Sequence, residues 1–447
     1  MSNTSNVSGK KFMAVVAIYH IAFFLLACLY RQIYMGDSFE YIYEAVNILD
    51  RWFFYSGNPA LPVQPEYMTQ RQPLYPLFLS LVYVFSVNNW IVLVLQNVLS
   101  MFNIWYLRRG LTVIGYRGGY DWLLLVLLLA YPIQFIYANT ISPEILLQTF
   151  TLIYLLQMVR LLQHRRWSHA ALASLALIAG LFVKPVLYPF VVVHLALVLL
   201  WAFRGRMPLL RALGLGILPL LAVLMYNYWN LQRTGKFHFS SNQAFNAIYY
   251  NYFYYSEKEG GRKARAFLAV EQARLDSIEN YAERYDYANA RGIALLKSHF
   301  VPYTAFHLKH SARYFIEPGK SEIDLFTGKL TLAQLYDVGG KGFKATLKEQ
   351  GIKALPGYIK NNPSLLVALV VFLFNLLRLA GVVLFLRSRR VLLPVRLLLA
   401  GVFCYFALTT GPIANTHYFL PISLMVIGCA VTGFAHWREE RKKEVPA

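Results

Sequence analysis

Two short stretches carry side chains that can do acid–base chemistry close together. Gly36-Asp37-Ser38-Phe39-Glu40-Tyr41 supplies carboxylates, and Arg71-Gln72-Pro73-Leu74-Tyr75-Pro76 supplies a guanidinium. They follow an apolar run at 12–29 that is long enough to span a bilayer, which sets acid and base at the membrane–water boundary. A carboxylate there can take a proton from a hydroxyl. A guanidinium can neutralise a phosphate through two parallel bonds, which a lysine cannot copy. The alternative for Asp37 and Glu40 is a capping box, an acid three residues after an N-cap, which needs no chemistry.

Further candidates lie at the ends of later apolar runs. Glu144 follows Ser142-Pro143, an ordinary helix start with an acid at the positive end of the dipole. Its functional reading is that it faces Asp37 across a shared cavity. Lys184 is the one charge between two apolar runs, where lysine commonly snorkels to the interface. Thr416-His417-Tyr418-Phe419-Leu420-Pro421 opens the last apolar run, and His417 offers a pH-dependent positive charge.

The elements that must position these groups read as helices. Ten spans are expected, near 12–30, 89–107, 120–137, 144–162, 169–184, 186–203, 209–229, 363–386, 396–411 and 417–435. Residues 38–50 read as an amphipathic helix, and Asp37, Glu40 and Glu44, three and four residues apart, share a face. Residues 74–87 are apolar but short, and suit an interfacial or re-entrant helix. The chain divides into a transmembrane module at 1–229 with a first loop at 31–88, an extramembrane segment at 230–362, and C-terminal spans in 363–447. The stretch 261–299 within the middle segment reads as helical.

Composition agrees with a membrane protein. Of 447 residues, 57% are hydrophobic and only 15% charged. Net charge is +21, which raises nucleic acid as a partner, but its placement argues for the bilayer instead. Lys10, Lys11, Arg108, Arg109, Arg117, Arg160, Arg165, Arg166, Arg204, Arg206, Arg211, Arg387, Arg389, Arg390, Arg396, Arg438, Arg441, Lys442 and Lys443 all fall at one side of the expected spans. By the positive-inside rule that side, with both termini, is cytoplasmic, and the acid-bearing loops face outward. The first apolar run lacks a small-residue cleavage site, so it is expected to stay as a span. Cys28, Cys404 and Cys429 sit within apolar runs, and no disulfide framework or zinc site is implied.

The order of these elements resembles the GT-C membrane glycosyltransferases, especially their aminoarabinose-transferase and protein O-mannosyltransferase branch. Those enzymes carry an acidic motif after the first helix and a basic residue before Pro-Leu-Tyr further on. The resemblance implies an inverting transferase on the outer face of a bacterial inner membrane. Its donor would be a sugar on a polyprenyl phosphate, and its acceptor a glycan, lipid or protein hydroxyl. By the same resemblance Asp37 is the catalytic base or its metal-linked equivalent, with Glu40 and Glu144 as further catalytic acids. Arg71, Lys184, Tyr75, His417 and Tyr418 would bind substrate. No metal ligand set is assigned, and a divalent cation is left open as cofactor. The sequence departs from the family pattern in three places: Ser38 stands where many relatives have a second acid, Gln72 where proline is common, and His417 where arginine is usual.

Two other readings compete. An O-antigen ligase or polymerase relies on outward arginines and histidine without an early Asp motif. A lipid or glycan transporter predicts charges inside helices lining a path; here Arg378 is the one basic residue well inside an expected span.

Overall fold

The structure, a computed structural model, describes residues 8–164, 166–206, 208–332, 351, 355–413 and 415–444. Arg165 of the basic tally and residues 333–350 and 352–354 of the expected extramembrane segment lie outside the described residues, as do the side chains of Arg206 and Lys443.

The chain is an all-α polytopic membrane protein. Among the described residues, seven helices are long and apolar enough to cross a bilayer. These are α1 (Gly9–Tyr30), α4 (Asn89–Gly110), α7 (Glu144–His164), α10 (Leu209–Thr234), α17 (Ser364–Arg387), α18 (Leu393–Thr410) and α19 (Thr416–Glu444). Shorter apolar helices α8 (Trp167–Val183) and α9 (Phe190–Trp201) occupy two of the other expected spans. In the first loop the expected amphipathic helix is α2 (Ser38–Arg51), and the short apolar stretch is α3 (Leu74–Tyr83). Helices α11 (Asn242–Glu259), α12 (Gly261–Asp276), α13 (Tyr281–Ser298), α14 (Phe300–Arg313) and α15 (Lys320–Phe326) follow α10, and α16 (Leu355–Asn361) precedes α17. Helices α11–α13 share a small apolar core of their own, around Ala244, Ile248, Leu275, Ala288 and Leu295.

The expected span at 120–137 is not one helix. It is broken into α5 (Asp121–Leu129) and α6 (Ile133–Ala138) at Pro132, which has no N–H to continue the ladder. The break strands carbonyls at membrane depth, where each must find a partner. Arg378 on α17 supplies it: Nη2 and Nε donate to the Leu127 carbonyl at 2.6 and 3.3 Å. Its guanidinium also lies 5.2 Å from the Tyr131 ring centroid. The intramembrane arginine is thus a cap on the broken helix, a favourable charge for a C-terminal dipole end.

Polar side chains knit the buried helices. Gln134 on α6 donates to Ser100 Oγ on α4 at 2.9 Å and exchanges 2.8 Å bonds with Gln148 on α7. Gln148 also donates to the Leu420 carbonyl on α19 at 2.8 Å. Such bonds substitute for the hydrophobic drive that lipid does not provide between helices. Where α17 crosses α19 the contact is glycine-lined: a Cβ on Gly381 would stand 2.7 Å from the Ala430 carbonyl oxygen.

The bundle has two chemically distinct ends. Arg108 at the end of α4 lies beside Gly9 and pairs with Asp121 at 2.6 Å. His436 Nε2 is 2.9 Å from the Gly115 carbonyl, and Arg390 pairs with Glu439 at the same end. The opposite end gathers the C-terminus of α1, the start of α7, the end of α8 and the start of α19, and holds the acid-bearing loop.

Candidate functional site

A stitch between two distant loops builds the site. The loop after α1 and the loop before α7 form an isolated parallel bridge at Tyr34 and Ile141, with Ile141 N–H donating to the Ile33 carbonyl at 2.8 Å. Ser38 Oγ accepts from Met35 N–H at 2.7 Å and donates to the Ile141 carbonyl at 2.6 Å. Ser38 is fully buried and pins the start of α2 beside the start of α7. Asp37 and Glu144 are brought to the same corner by these contacts.

Asp37 occupies the N-cap of α2 but makes no side-chain capping bond. This corrects the capping-box alternative: the carboxylate turns to Arg71 instead. Arg71 Nη1 donates to Asp37 Oδ2 at 2.9 Å and Nη2 lies 2.9 Å from Oδ1, a two-pronged pair. Nε donates to Glu40 Oε2 at 2.5 Å. Glu40 is one turn on, so the helical repeat of α2 sets both acids against one guanidinium. The Arg71 side chain is 12% exposed, whereas Asp37 is 47% exposed and open to a ligand. Below Arg71 lies the buried Tyr41 ring, 5.2 Å from the guanidinium. Tyr75 packs edge-on against Tyr41 at 5.1 Å and donates its hydroxyl to Gln96 Oε1 at 2.7 Å. Gln96 in turn donates to the Thr140 carbonyl at 2.7 Å. Tyr75 therefore buttresses the shelf on which Arg71 rests.

A second ion pair stands at the same corner. Lys184 follows the last residue of α8, where Pro185 ends the helix, and its Nζ donates to Glu144 Oε1 at 2.5 Å. Both side chains are buried, at 11% and 4% exposure. Lys184 Nζ lies 5.4 Å from the Tyr418 ring centroid, and the His417 and Tyr418 rings lie 3.9 Å apart. The Tyr418 carbonyl accepts from Tyr314 O–H at 2.8 Å.

Electrostatics joins the two pairs. Burial pushes the Asp37 carboxyl up, but Arg71, Lys184 and His417 outweigh it and hold Asp37 below the usual carboxylate range. Glu40 goes the other way: burial raises it, Asp37 adds to the rise, and Arg71 only partly offsets them. Asp37 is thus the ionised partner and Glu40 the more readily protonated one. Glu44, the next acid on this face of α2, is buried, its Oε2 has no hydrogen-bond partner, and burial pushes it up to about 8 despite Arg233 and Arg71.

Of the sequence-derived candidates, Asp37, Glu40 and Arg71 form one cluster, and Glu144 and Lys184 form a second at the same corner with Tyr418 and His417 beside it, while Tyr75 supports the first from below. Unforeseen were Tyr41, Gln96 and Ser38. Only Tyr41 and Ser38 lie in the motif itself, and nothing in their spacing announces a shelf or a stitch. Among the described residues no group of three His, Cys, Asp or Glu is arranged to hold a metal ion.

No protein-family model matches the chain. No curated protein matches it either. One solved structure that it is similar to is the crystal structure of ArnT from Cupriavidus metallidurans bound to undecaprenyl phosphate, at 14% identity and a TM-score of 0.39, over 94% of this chain and 77% of that one.

Proposed function

We propose that the Asp37 cluster transfers a sugar from a polyprenyl-phosphate donor to an acceptor hydroxyl, in the manner of GT-C glycosyltransferases. The observation that carries this reading is the two-pronged Arg71–Asp37 pair, with the Asp37 side chain half exposed, at the mouth of an apolar helix bundle and beside the Lys184–Glu144 pair. A lipid tail would lie along the bundle and bring its phosphate–sugar bond to this depth.

Asp37 takes the proton from the acceptor hydroxyl as its oxygen attacks the anomeric carbon. The anomeric carbon–oxygen bond breaks on the opposite face, and its electron pair leaves with the polyprenyl phosphate. Attack opposite the leaving group inverts the anomeric centre. Arg71 and Lys184 are the cations that receive the phosphate, exchanging carboxylate oxygens for phosphate oxygens. That exchange also frees lone pairs on Asp37 for the hydroxyl. Asp37 then gives its proton to water.

In this reading the Asp37 end of the bundle faces outward from a bacterial inner membrane, with the termini and the arginine-rich end in the cytoplasm. The unit 1–229 with its loop 31–88 is the transferase module, 230–362 lies outside the membrane, and 363–447 returns the chain to the bundle.

The test is turnover by the purified protein. Polyprenyl-phosphate sugars of different head groups are offered with membrane lipids and glycans, and released polyprenyl phosphate is measured by mass spectrometry. Release that requires both acceptor and Asp37 supports the reading. Unchanged release from Asp37→Asn removes it.

A further inference from the structure

A cavity lies beside the segment that delivers Arg71. It occupies about 190 Å3 between the first loop and α11–α13, many times the ~10–15 Å3 that seats one water. Its wall mixes aromatic faces and hydrogen-bonding groups. Tyr67 and Tyr249 supply rings, Gln70, Asn242 and Gln272 supply amides, and Asp276 a carboxylate.

Most of the charge around it is already paired. Glu66 receives Arg284 Nη2 on both oxygens, at 2.8 Å each. Glu271 is held by Arg291 at 2.6 and 2.9 Å. The cationic wall residue, Arg284, is therefore engaged, which disfavours a phosphate or a nucleotide. Two of the three wall carboxylates are neutralised, and Asp276 accepts from Gln272 Nε2 at 2.9 Å, which disfavours a metal cation. What remains suits a neutral ligand rich in hydroxyls with apolar ring faces.

We infer that this cavity binds a neutral saccharide, the sugar portion of the acceptor. Calling that saccharide the acceptor rests on the transferase reading above; the binding site itself does not. The cavity wall and the reactive cluster are consecutive residues. The Gln70 carbonyl accepts from Ser240 Oγ at 3.4 Å and Asn242 Nδ2 at 3.5 Å, and the next residue is Arg71. The neighbouring Thr69 carbonyl accepts from Ser241 N–H at 3.4 Å. A sugar seated against Asn242 and Gln70 is thus one residue from the clamp on Asp37.

The experiment uses full-length protein in lipid nanodiscs free of glycoside detergent. Glucose, galactose, mannose, N-acetylglucosamine and their β-linked disaccharides are screened by saturation-transfer NMR. At least one is expected to receive saturation. Its affinity should fall about tenfold, a loss of ~1.4 kcal/mol, in Tyr249→Ala and in Asn242→Ala, and return in Tyr249→Phe. Tyr249 is 45% exposed, so its removal opens no core, and melting curves check that each variant is folded. Saturation of no saccharide, or affinity unmoved by both alanine variants, overturns the site. Binding that follows these variants in a protein with no Asp37-dependent turnover keeps the saccharide site and removes its acceptor role. Turnover with no saccharide binding removes the cavity assignment alone.

Discussion

Lys184 Nζ and Glu144 Oε1, 2.5 Å apart, tie the end of one apolar helix to the start of another in a place nearly closed to water. Breaking a buried pair strands a charge, whereas removing both members does not. Lys184→Met alone should therefore lose about 3–5 kcal/mol of stability, and Lys184→Met with Glu144→Gln should regain most of it. The double variant should stay inactive, because the phosphate has lost a cation. Melting temperature and turnover, measured on the same samples, separate the two effects. Equal stability of the single and double variants would show that Lys184→Met strands no buried charge on Glu144.

Asp37→Asn should lower turnover by about 10²–10⁴-fold, the range for removal of a general base. The fold should persist, since Arg71 keeps Glu40 and an amide oxygen at position 37. Asp37 titrates below the usual carboxylate value because Arg71 and Lys184 outweigh its burial. The acid limb of the kcat/KM profile should thus fall below about pH 4. An acid limb near pH 6 would point to another base.

Arg71→Ala should be nearly inactive and Arg71→Lys partly active, because lysine keeps the charge but not the fork that spans both oxygens of Asp37. The measurement is rate against donor concentration in purified protein. An alanine variant with the original rate and half-saturation would make Arg71 an anchor only.

Glu44 gives a pH test that reads the fold rather than the chemistry. Its carboxyl is pushed up to about 8 in the folded protein by burial, against about 4.3 unfolded. The folded state holds the proton more tightly, so the penalty is absent below the unfolded value and complete above pH 8. Stability should fall as pH rises from about 4.3 to 8. Glu44→Gln should flatten that fall and stabilise the protein most at pH 8 and above. A variant that melts like the original at both pH 4 and pH 9 would contradict the burial argument.

Orientation can be read with two cysteines in a background lacking Cys28, Cys404 and Cys429. Lys258 is exposed on α11, and Ser168 is exposed at the start of α8, toward the arginine-rich end. Lys258→Cys should react with an impermeant thiol reagent on intact cells, and Ser168→Cys only after lysis. The reverse pattern would invert the topology and, with it, the donor argument.

Much of the scaffold was legible because hydropathy over 18 or more residues is a strong signal, and α1, α4, α7, α10, α17, α18 and α19 stand where it places helices. The break at Pro132 was hidden because the stretches on both sides are apolar enough to read together as one span. With the break hidden, Arg378 looked like a stray charge, although its task is to satisfy the Leu127 carbonyl. At the site, the types of residue at the boundary could be read, but not who pairs with whom. Arg71 meets Asp37 and Glu40 from 34 and 31 residues away, and Lys184 meets Glu144 from 40. Those partners are chosen by the Ser38–Ile141 stitch, a contact that leaves no periodic trace in the chain.

That stitch also sets a clock for biogenesis. Ser38 and Ile141 are 103 residues apart, so at ~5–20 residues per second a nascent chain carries Asp37 for on the order of 5–20 s before Ile141 is made. Lys184, and then His417 and Tyr418 at the head of the final helix, arrive later still. The corner is therefore complete only once the start of α19 has been made, and a chain that stops before Thr416 lacks part of it.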